Sequence, residues 1–179
     1  MAQDRQTFAD QVTAGSGQDV RACYQCRKCT AGCPVAEFMD IPPHALNRLV
    51  QYGRRDDVLG SSAIWLCAGC ETCGTRCPNG IDIAKVMDDL KRRVVREGIR
   101  GRERKIRVMH QVFLSGVRKR GRMHELSLIR DMRLKTGGLF KDMKLGIRMF
   151  QAGKLSILPP RVKNTSALKK LFARARRMS

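Results

Sequence analysis

All eight cysteines of this chain lie in two short blocks that have the same spacing. The first block, at residues 23–34, reads CYQCRKCTAGCP, and the second block, at residues 67–78, reads CAGCETCGTRCP. Both have the form C-x2-C-x2-C-x3-C-P. Because cysteines this close together constrain the backbone to tight loops, any fold of this chain must accommodate two such loops.

The spacing within each block is typical of an iron–sulfur cluster motif. One tight loop can place three thiolates at three corners of a 4Fe-4S cubane, but the fourth corner needs a cysteine from elsewhere in the chain. In two-cluster ferredoxins, the cysteine before the proline binds the other cluster. The pattern therefore predicts two 4Fe-4S clusters, one bound by Cys23, Cys26, Cys29 and Cys77, and the other by Cys67, Cys70, Cys73 and Cys33.

Structural zinc is the alternative for closely spaced cysteines. Zinc sites use four ligands per ion, often from two C-x2-C pairs, so the third cysteine of each block and the Cys-Pro cysteine would be surplus. His44, His110 and His124 lie in no ligand constellation, and we expect surface or packing roles for them. Since all eight cysteines fit two complete four-ligand sets, iron–sulfur chemistry is favoured.

The two clusters should be near neighbours. Cys29 and Cys33 are bound to different clusters in this scheme and are four residues apart, which limits their Cα atoms to about 14 Å. This separation suits the passage of single electrons. Pro34 and Pro78 are each expected to begin a helix, which would place the preceding cysteine at a helix N-terminus that favours a thiolate.

The charged residues inside the two loops differ. Arg27 and Lys28 lie inside the loop of the first three cysteines of the first block, whereas Glu71 lies inside the corresponding loop of the second. Cations close to a cluster raise its reduction potential. We therefore predict that the cluster bound by Cys23, Cys26, Cys29 and Cys77 is the easier one to reduce.

Charge also divides the chain as a whole. Residues 1–90 contain nine Lys and Arg against eleven Asp and Glu, and residues 91–179 contain twenty-seven against five, which gives net charges of −2 and +22. We predict an N-terminal segment at 1–19, a dicluster domain at 20–100, and a basic helical extension at 101–179.

Helical signals surround the cysteine blocks. Residues 42–53 begin with two prolines and close with a glycine, which predicts a short helix, and residues 54–62 are interpreted as a turn. A longer helix is predicted after Asp82, which would cap it, and should stop at Gly98.

The basic extension repeats apolar residues at helical spacing with cations between them, which predicts amphipathic helices. No stretch alternates with period two, so the predicted fold class is mainly α. The apolar positions are Ile106, Met109, Val112, Phe113 and Val117, then Leu126, Ile129 and Met132, then Leu139, Phe140, Met143, Ile147 and Phe150, and finally Leu168, Leu171, Phe172 and Ala175.

Compartment and partners follow from the same features. The N-terminus does not have the pattern of a signal peptide, so we expect a cytoplasmic protein in which the cysteines serve metal or redox chemistry. The basic extension favours docking against acidic partner subunits. Contact with the inner face of the membrane is the alternative, and nucleic acid is disfavoured because the phenylalanines fall on apolar helix faces.

The two blocks, the helical insert between them and the following NGIDIAKVMDDLKRR resemble the α-helical dicluster ferredoxin module, and most closely the C subunit of heterodisulfide reductase and its bacterial relatives. The likeness covers roughly residues 20–100. It implies an electron-transfer protein within a larger complex, with no substrate site of its own. In that family, the C subunit relays electrons between a flavin and iron–sulfur A subunit and a catalytic B subunit, which reduces or forms a disulfide.

Two other classes of protein are alternatives for a chain with this dicluster domain. The iron–sulfur parts of succinate, glycolate and glycerol-3-phosphate dehydrogenases contain it, but they usually add a Cys-Cys-Gly domain or a plant-type ferredoxin domain, and neither is found in this sequence. A free ferredoxin-like carrier is the second alternative. Such a shuttle has little use for a long basic extension, so a dedicated member of a complex is favoured.

Overall fold

The computed structural model describes residues 7–99, 102–137, 148–149, 151–152, 162 and 164–178. Within these ranges the regular structure is helical and contains no strand, so the prediction of a mainly α fold is confirmed. Two 3₁₀ helices lie at Val20–Ala22 and Ala36–Phe38. The α-helices with defined bounds are α1 (Phe8–Ser16), α2 (Lys28–Ala31), α3 (Pro43–Gln51), α4 (Arg55–Gly60), α5 (Ala63–Leu66), α6 (Thr72–Arg76), α7 (Ile83–Arg96), α8 (Arg104–Arg120), α9 (Glu125–Thr136) and α10 (Thr165–Met178).

The chain divides into two compact units, Met1–Arg104 and Lys105–Ser179. Both cysteine blocks lie in the first unit, whose core forms where α7 packs against α1, α4 and α5, and α3 packs against α1 and α4. Each fully buried aliphatic side chain there contributes about 1.5–3 kcal/mol relative to an exposed one. The core includes Val12, Val20, Leu46, Val50, Val58, Leu59, Ile64, Val86, Met87, Leu90 and Val94.

Two helices of the first unit form where the sequence predicts them. Pro43 lies in the first turn of α3, and Gly53, with φ of 71°, follows its end. The Asp82 side chain accepts hydrogen bonds from the backbone N–H groups of Ala84 and Lys85, and so caps α7. Gly98, with φ of 69°, follows the last turn of α7. The predicted start and stop signals of both helices are confirmed.

The turn predicted at 54–62 is wrong, because this stretch contains the helix α4. Asp56 and Asp57 lie in its first turn, where carboxylates complement the positive end of the helix dipole. Val58 and Leu59 are buried in the core. A six-residue helix has little intrinsic stability, so tertiary packing of these two side chains supports it.

A further helix, α1, lies in the segment at 1–19, for which the sequence predicted no element. Thr7 and Asp10 form a capping box at its start, and Gly17 ends it in the left-handed conformation. On α7, the Arg93 side chain donates to the carbonyl of Gln11. This hydrogen bond and the packing of α1 on α7 and α3 hold α1 onto the dicluster region.

The second unit contains α8, α9 and α10. His124 caps α9, since its Nδ1 accepts from the backbone N–H of Ser127. The described residues contain no helix that combines the length and the apolar character needed to cross a bilayer. The helix predicted around Leu139, Phe140, Met143, Ile147 and Phe150 lies outside the described residues.

Candidate metal centre

The two cysteine blocks share an unusual backbone. In the first block, Gln25 and Arg27 have φ of 66° and 64°, and in the second block, the equivalent Gly69 and Glu71 have φ of 64° and 58°. These positions flank the second cysteine of each block. Left-handed backbone costs a non-glycine residue roughly 1–2 kcal/mol. Its repetition at matching positions indicates that the loop shape is dictated by the spacing of the cysteines.

A short helix follows each loop and leads to the fourth cysteine of the block. Cys77 ends α6 with extended backbone, φ −76° and ψ 119°, because Pro78 disfavours the helical conformation for the residue before it. The prediction that Pro78 begins a helix is therefore wrong, because Pro78 lies in a turn and α7 starts only at Ile83. Pro34 also lies in a turn, and a short 3₁₀ helix, Ala36–Phe38, begins two residues after it rather than at the proline.

The helices α2 and α6 pack against each other and bring the two blocks together. The Arg76 side chain of α6 lies directly over Gly32 at the end of α2, since a Cβ atom added at Gly32 would lie 2.7 Å from Cδ of Arg76. The contact places the segment before Cys33 beside the second block.

A small cavity lies at the second block. Its sulfur-bearing wall consists of Cys67, Cys70 and Cys73 from the second block together with Cys33 from the first block. Most of the remaining wall is apolar, and it includes Val35, Met39, Pro43, Ile83, Ala84 and Met87. Such a lining lowers the local dielectric and limits access of water to whatever the thiols bind.

The cysteine at the end of the second block lies beside the first block. Partial desolvation and the negative charges of the Cys26 and Cys77 thiolates raise the pKa of Tyr24, whose side chain is therefore near both. The side-chain amide of Asn79 donates to the carbonyl of Ala22, immediately before the first block. These contacts tie the end of the second block to the start of the first.

The third cysteines of the two blocks are neighbours. Burial raises the pKa of the Cys29 thiol, and the nearby Cys23 and Cys73 thiolates raise it further. Burial also raises the pKa of Cys67 and of Cys73, whereas hydrogen bonds at Thr72 lower that of Cys70. Because burial of these thiols favours their neutral form, bound metal cations would supply the free energy that keeps them as thiolates.

The thiols supply ligand sets of the size that an iron–sulfur cluster uses. All eight cysteines are free. Four thiols from the two blocks line one cavity. Sets of four thiolates are the usual ligands of 4Fe-4S clusters.

Asp40 connects the two blocks and was not identified from the sequence. Its carboxylate accepts from Ser61 Oγ at 2.6 Å, and from the backbone N–H groups of Ser62 at 2.9 Å and Ala63 at 3.1 Å. It thereby holds the start of α5, which leads directly to Cys67. Burial alone would raise the pKa of Asp40, but the hydrogen bonds from these serines and Ala63 lower it to about 2.

Lys91 lies beside the second block and was also missed. Its Nζ is 3.3 Å from the carbonyl oxygen of Cys67 and 3.3 Å from Oδ1 of Asp88. Lys91 follows Ile83 and Met87 at intervals of four along α7, and both of these residues line the cavity. That helical spacing is a sequence signal that could have identified Lys91.

Comparisons with known proteins agree with this geometry. The family described as the 4Fe-4S dicluster domain matches residues 22–82. A similar protein from Methanosarcina mazei, the C subunit of ferredoxin:CoB-CoM heterodisulfide reductase, is 37% identical over 87 residues, which are 49% of this chain and 53% of that protein.

Two further relatives are iron–sulfur C subunits of CoB–CoM heterodisulfide reductase. The protein from Methanopyrus kandleri is 39% identical over 72 residues, 40% of this chain and 36% of the relative. The protein from Methanocaldococcus jannaschii is 36% identical over 81 residues, 45% of this chain and 43% of the relative. The chain thus spans about half, or less, of the length of these relatives.

The prediction of an iron–sulfur protein with two clusters is confirmed, and the predicted likeness to heterodisulfide reductase C subunits is found over about half of the chain. Eight cysteines in two groups provide the ligands that two such clusters require. Residues 22–82 are a 4Fe-4S dicluster domain, and the half of the chain that contains it is homologous to the C subunits of methanogen heterodisulfide reductases.

Proposed function

We propose that this chain is the electron-transfer subunit of a heterodisulfide reductase-type complex. It would relay electrons between a flavin and iron–sulfur A subunit and a catalytic B subunit that reduces or forms a disulfide. The observation that carries the proposal is the cavity that joins Cys33 of the first block to three cysteines of the second. A bound 4Fe-4S cluster supplies reversible one-electron chemistry there.

The proposed ligand sets exchange one cysteine between the blocks. Cys23, Cys26, Cys29 and Cys77 would hold one cluster, and Cys67, Cys70, Cys73 and Cys33 the other. Support for the first set comes from Tyr24, which interacts with Cys26 and Cys77, and support for the second comes from the shared cavity. The electrostatic contact between Cys29 and Cys73 supports a short distance between the two sites.

We further propose that residues 20–100 hold the clusters and that the basic extension at 101–179 docks against the partner subunits. Several apolar side chains of the extension are exposed, which is the surface that an interface would bury. Cations surround them, so acidic partners are favoured. Among the described residues, the exposed large apolar side chains of the extension are Met109, Phe113, Leu114, Ile129, Leu134, Met149, Val162 and Leu171.

Anaerobic isolation of the full chain tests the proposal. We expect about eight irons per chain and two reducible signals in electron paramagnetic resonance. Affinity purification from native cells should recover a flavoprotein and a protein with Cys-Cys-Gly motifs. Zinc in place of iron would contradict the cluster proposal, and recovery of only a hydroxy-acid or succinate dehydrogenase would contradict the proposed complex.

A further inference from the structure

An open groove lies on the surface beside the first block. Its lining includes Gln25 and Arg27 from the first block, His44 and Arg48 from α3, and Tyr52 immediately after α3. The last three of these residues follow one another at intervals of four, so they form one stripe along the helix. None of the described residues that line the groove is acidic. The groove is therefore a cationic surface next to the thiols of the first block.

The cations of the groove are accessible, and Arg48 is held in position. Arg27 and Arg48 are both exposed. The Arg48 guanidinium lies 4.9 Å from the centroid of the Tyr52 ring and donates to Oε1 of Gln51 at 3.0 Å. A side chain restrained in this way loses less conformational entropy when it binds a carboxylate.

Hydrogen bonds fix α3 to the first block near both ends of the helix. At one end, the His44 ring is bonded to Oγ1 of Thr30 at 2.8 Å, and Thr30 lies between Cys29 and Cys33. At the other end, Nε2 of Gln51 donates to the carbonyl of Cys23 at 3.1 Å. A molecule bound on the outer stripe of α3 is therefore held at a defined position relative to these cysteines.

The surroundings favour a protein surface over a small anion. Tyr24 and Tyr52 are 61% and 65% exposed, and aromatic residues beside arginines are enriched in protein interfaces. At the second block the charges are mixed, because Glu71 lines the cavity and Asp88 acts on the Cys67 thiol, while Lys91 lies beside Cys67. An acidic surface would therefore be attracted more strongly to the first block than to the second.

We propose that this groove docks the carboxylate-rich surface of a protein that exchanges electrons at the first block. The inference rests on the proposed electron-transfer function and adds the location and the charge of one partner surface. Arg27 and Arg48 would pair with carboxylates, while Tyr24 and Tyr52 would supply contact area. The short distance from the groove to the first block then allows electron exchange in the docked complex.

Charge reversals in the full, cluster-loaded chain test the inference, with an acidic two-cluster ferredoxin as the probe. We expect Arg27→Glu and Arg48→Glu each to lower the second-order rate of electron exchange about tenfold at low ionic strength. Glu71 occupies the equivalent left-handed position in the second block, so Arg27→Glu is compatible with the backbone. Arg27→Gln and Arg48→Gln, which only neutralise the charges, should give smaller losses.

Arg96→Glu is the matched control, because this exposed residue on α7 lies outside the groove and the substitution makes the same change in net charge. We expect it to alter the rate less than about twofold. If Arg27→Glu, Arg48→Glu and Arg96→Glu lowered the rate equally, or if none of them lowered it, the inference would be overturned. If inorganic phosphate slowed electron exchange and chloride at the same ionic strength did not, the inference would also be overturned, because the groove would then be a small-anion site.

Zero-length carbodiimide cross-linking gives a second readout that does not depend on electron transfer. Lys28 is exposed beside the groove, and Lys85 is an exposed lysine of α7 near the second block. We expect the ferredoxin carboxylates to couple to Lys28 rather than to Lys85. Coupling only to Lys85 or to the basic extension would overturn the inference. A chain without reducible clusters would instead contradict the proposed function, so the two failures are distinguishable.

Discussion

The two cysteine blocks have the same backbone but different charged residues around them. Each has left-handed residues on both sides of its second cysteine, then a short helix, then a fourth cysteine beside the other block. Arg27 lies at the first block with no acidic residue among the described lining of the adjoining groove, whereas the second block has Glu71 in its cavity and both Asp88 and Lys91 near Cys67. The comparison teaches that cysteine spacing determines the loop, while the residues within and around the loop remain free to set the local potential.

The largest expected effect comes from the fourth cysteines, which test whether the blocks depend on each other. In Cys33→Ala, we expect loss of the cluster at the second block, and in Cys77→Ala, loss of the cluster at the first, because each removes one of four ligands. Iron analysis and electron paramagnetic resonance of anaerobically prepared protein would measure this. Cys26→Ala is the control, since it should remove only the cluster of its own block.

If Cys33→Ala instead lost the cluster of its own block, the exchange of ligands between the blocks would be wrong. The resonance signals therefore need assignment to each block, which the control variant provides.

The next largest effect concerns Asp40, which connects the segment after the first block to the helix before the second. Asp40→Ala should reduce the free energy of unfolding by about 1–2 kcal/mol, because three hydrogen bonds to its carboxylate are lost. Denaturant unfolding under anaerobic conditions would measure it. Asp57→Ala, which removes an exposed carboxylate paired with Arg54, should cost less than about 0.5 kcal/mol.

The pH dependence of this loss follows from the lowered pKa of Asp40, which is about 2 in the fold and about 3.9 in an unfolded chain. A carboxyl group whose pKa is lowered by folding stabilises the fold above its unfolded pKa and loses that contribution as the pH falls toward the folded value. The difference between wild type and Asp40→Ala should therefore stay constant from about pH 6 to pH 9. A loss that changed across this range would contradict the assignment.

A smaller effect is expected on the reduction potentials. The cluster of Cys23, Cys26, Cys29 and Cys77 should have the higher potential, and Glu71→Arg should raise the potential of the other cluster by roughly 40 mV, equivalent to about 1 kcal/mol for one electron. A redox titration followed by electron paramagnetic resonance would measure both. Glu37→Arg makes the same charge change at an exposed residue outside the cavity lining and should have less effect. A higher potential at the second block would refute the comparison.

The smallest expected effect is on the free energy of unfolding when the residue types at the equivalent left-handed positions, Gln25 and Gly69, are exchanged. Gly69→Gln should cost about 1 kcal/mol or less, since no atom lies within 4 Å of an added Cβ and Gln25 already has the same conformation in the first block. Gln25→Gly should be close to neutral, because relief of backbone strain is offset by the greater freedom of glycine in the unfolded chain. Unfolding curves of both variants would test this. A loss of several kcal/mol at Gly69 would show that the loops are not equivalent.

Local signals in the sequence predicted much of the fold. The caps and stop signals of α3 and α7 are confirmed, because a cap, a proline or a glycine acts on neighbouring residues. The helix α4 was missed because its stability depends on burial of Val58 and Leu59 rather than on local signals. Pro34 and Pro78 were misread as helix starts, because the signal for a proline in a first turn also fits a turn.

By itself, the sequence determined the chemistry of this protein. Cysteine spacing is a local property, and a thiolate set of this pattern has few uses other than cluster binding. The tertiary structure decided which distant groups support and surround the thiols. Asp40 with Ser61, Gln51 with Cys23, and the groove of Arg27 and Arg48 all join residues that are far apart in the chain. Such contacts depend on how the helices pack, and no local pattern records that packing.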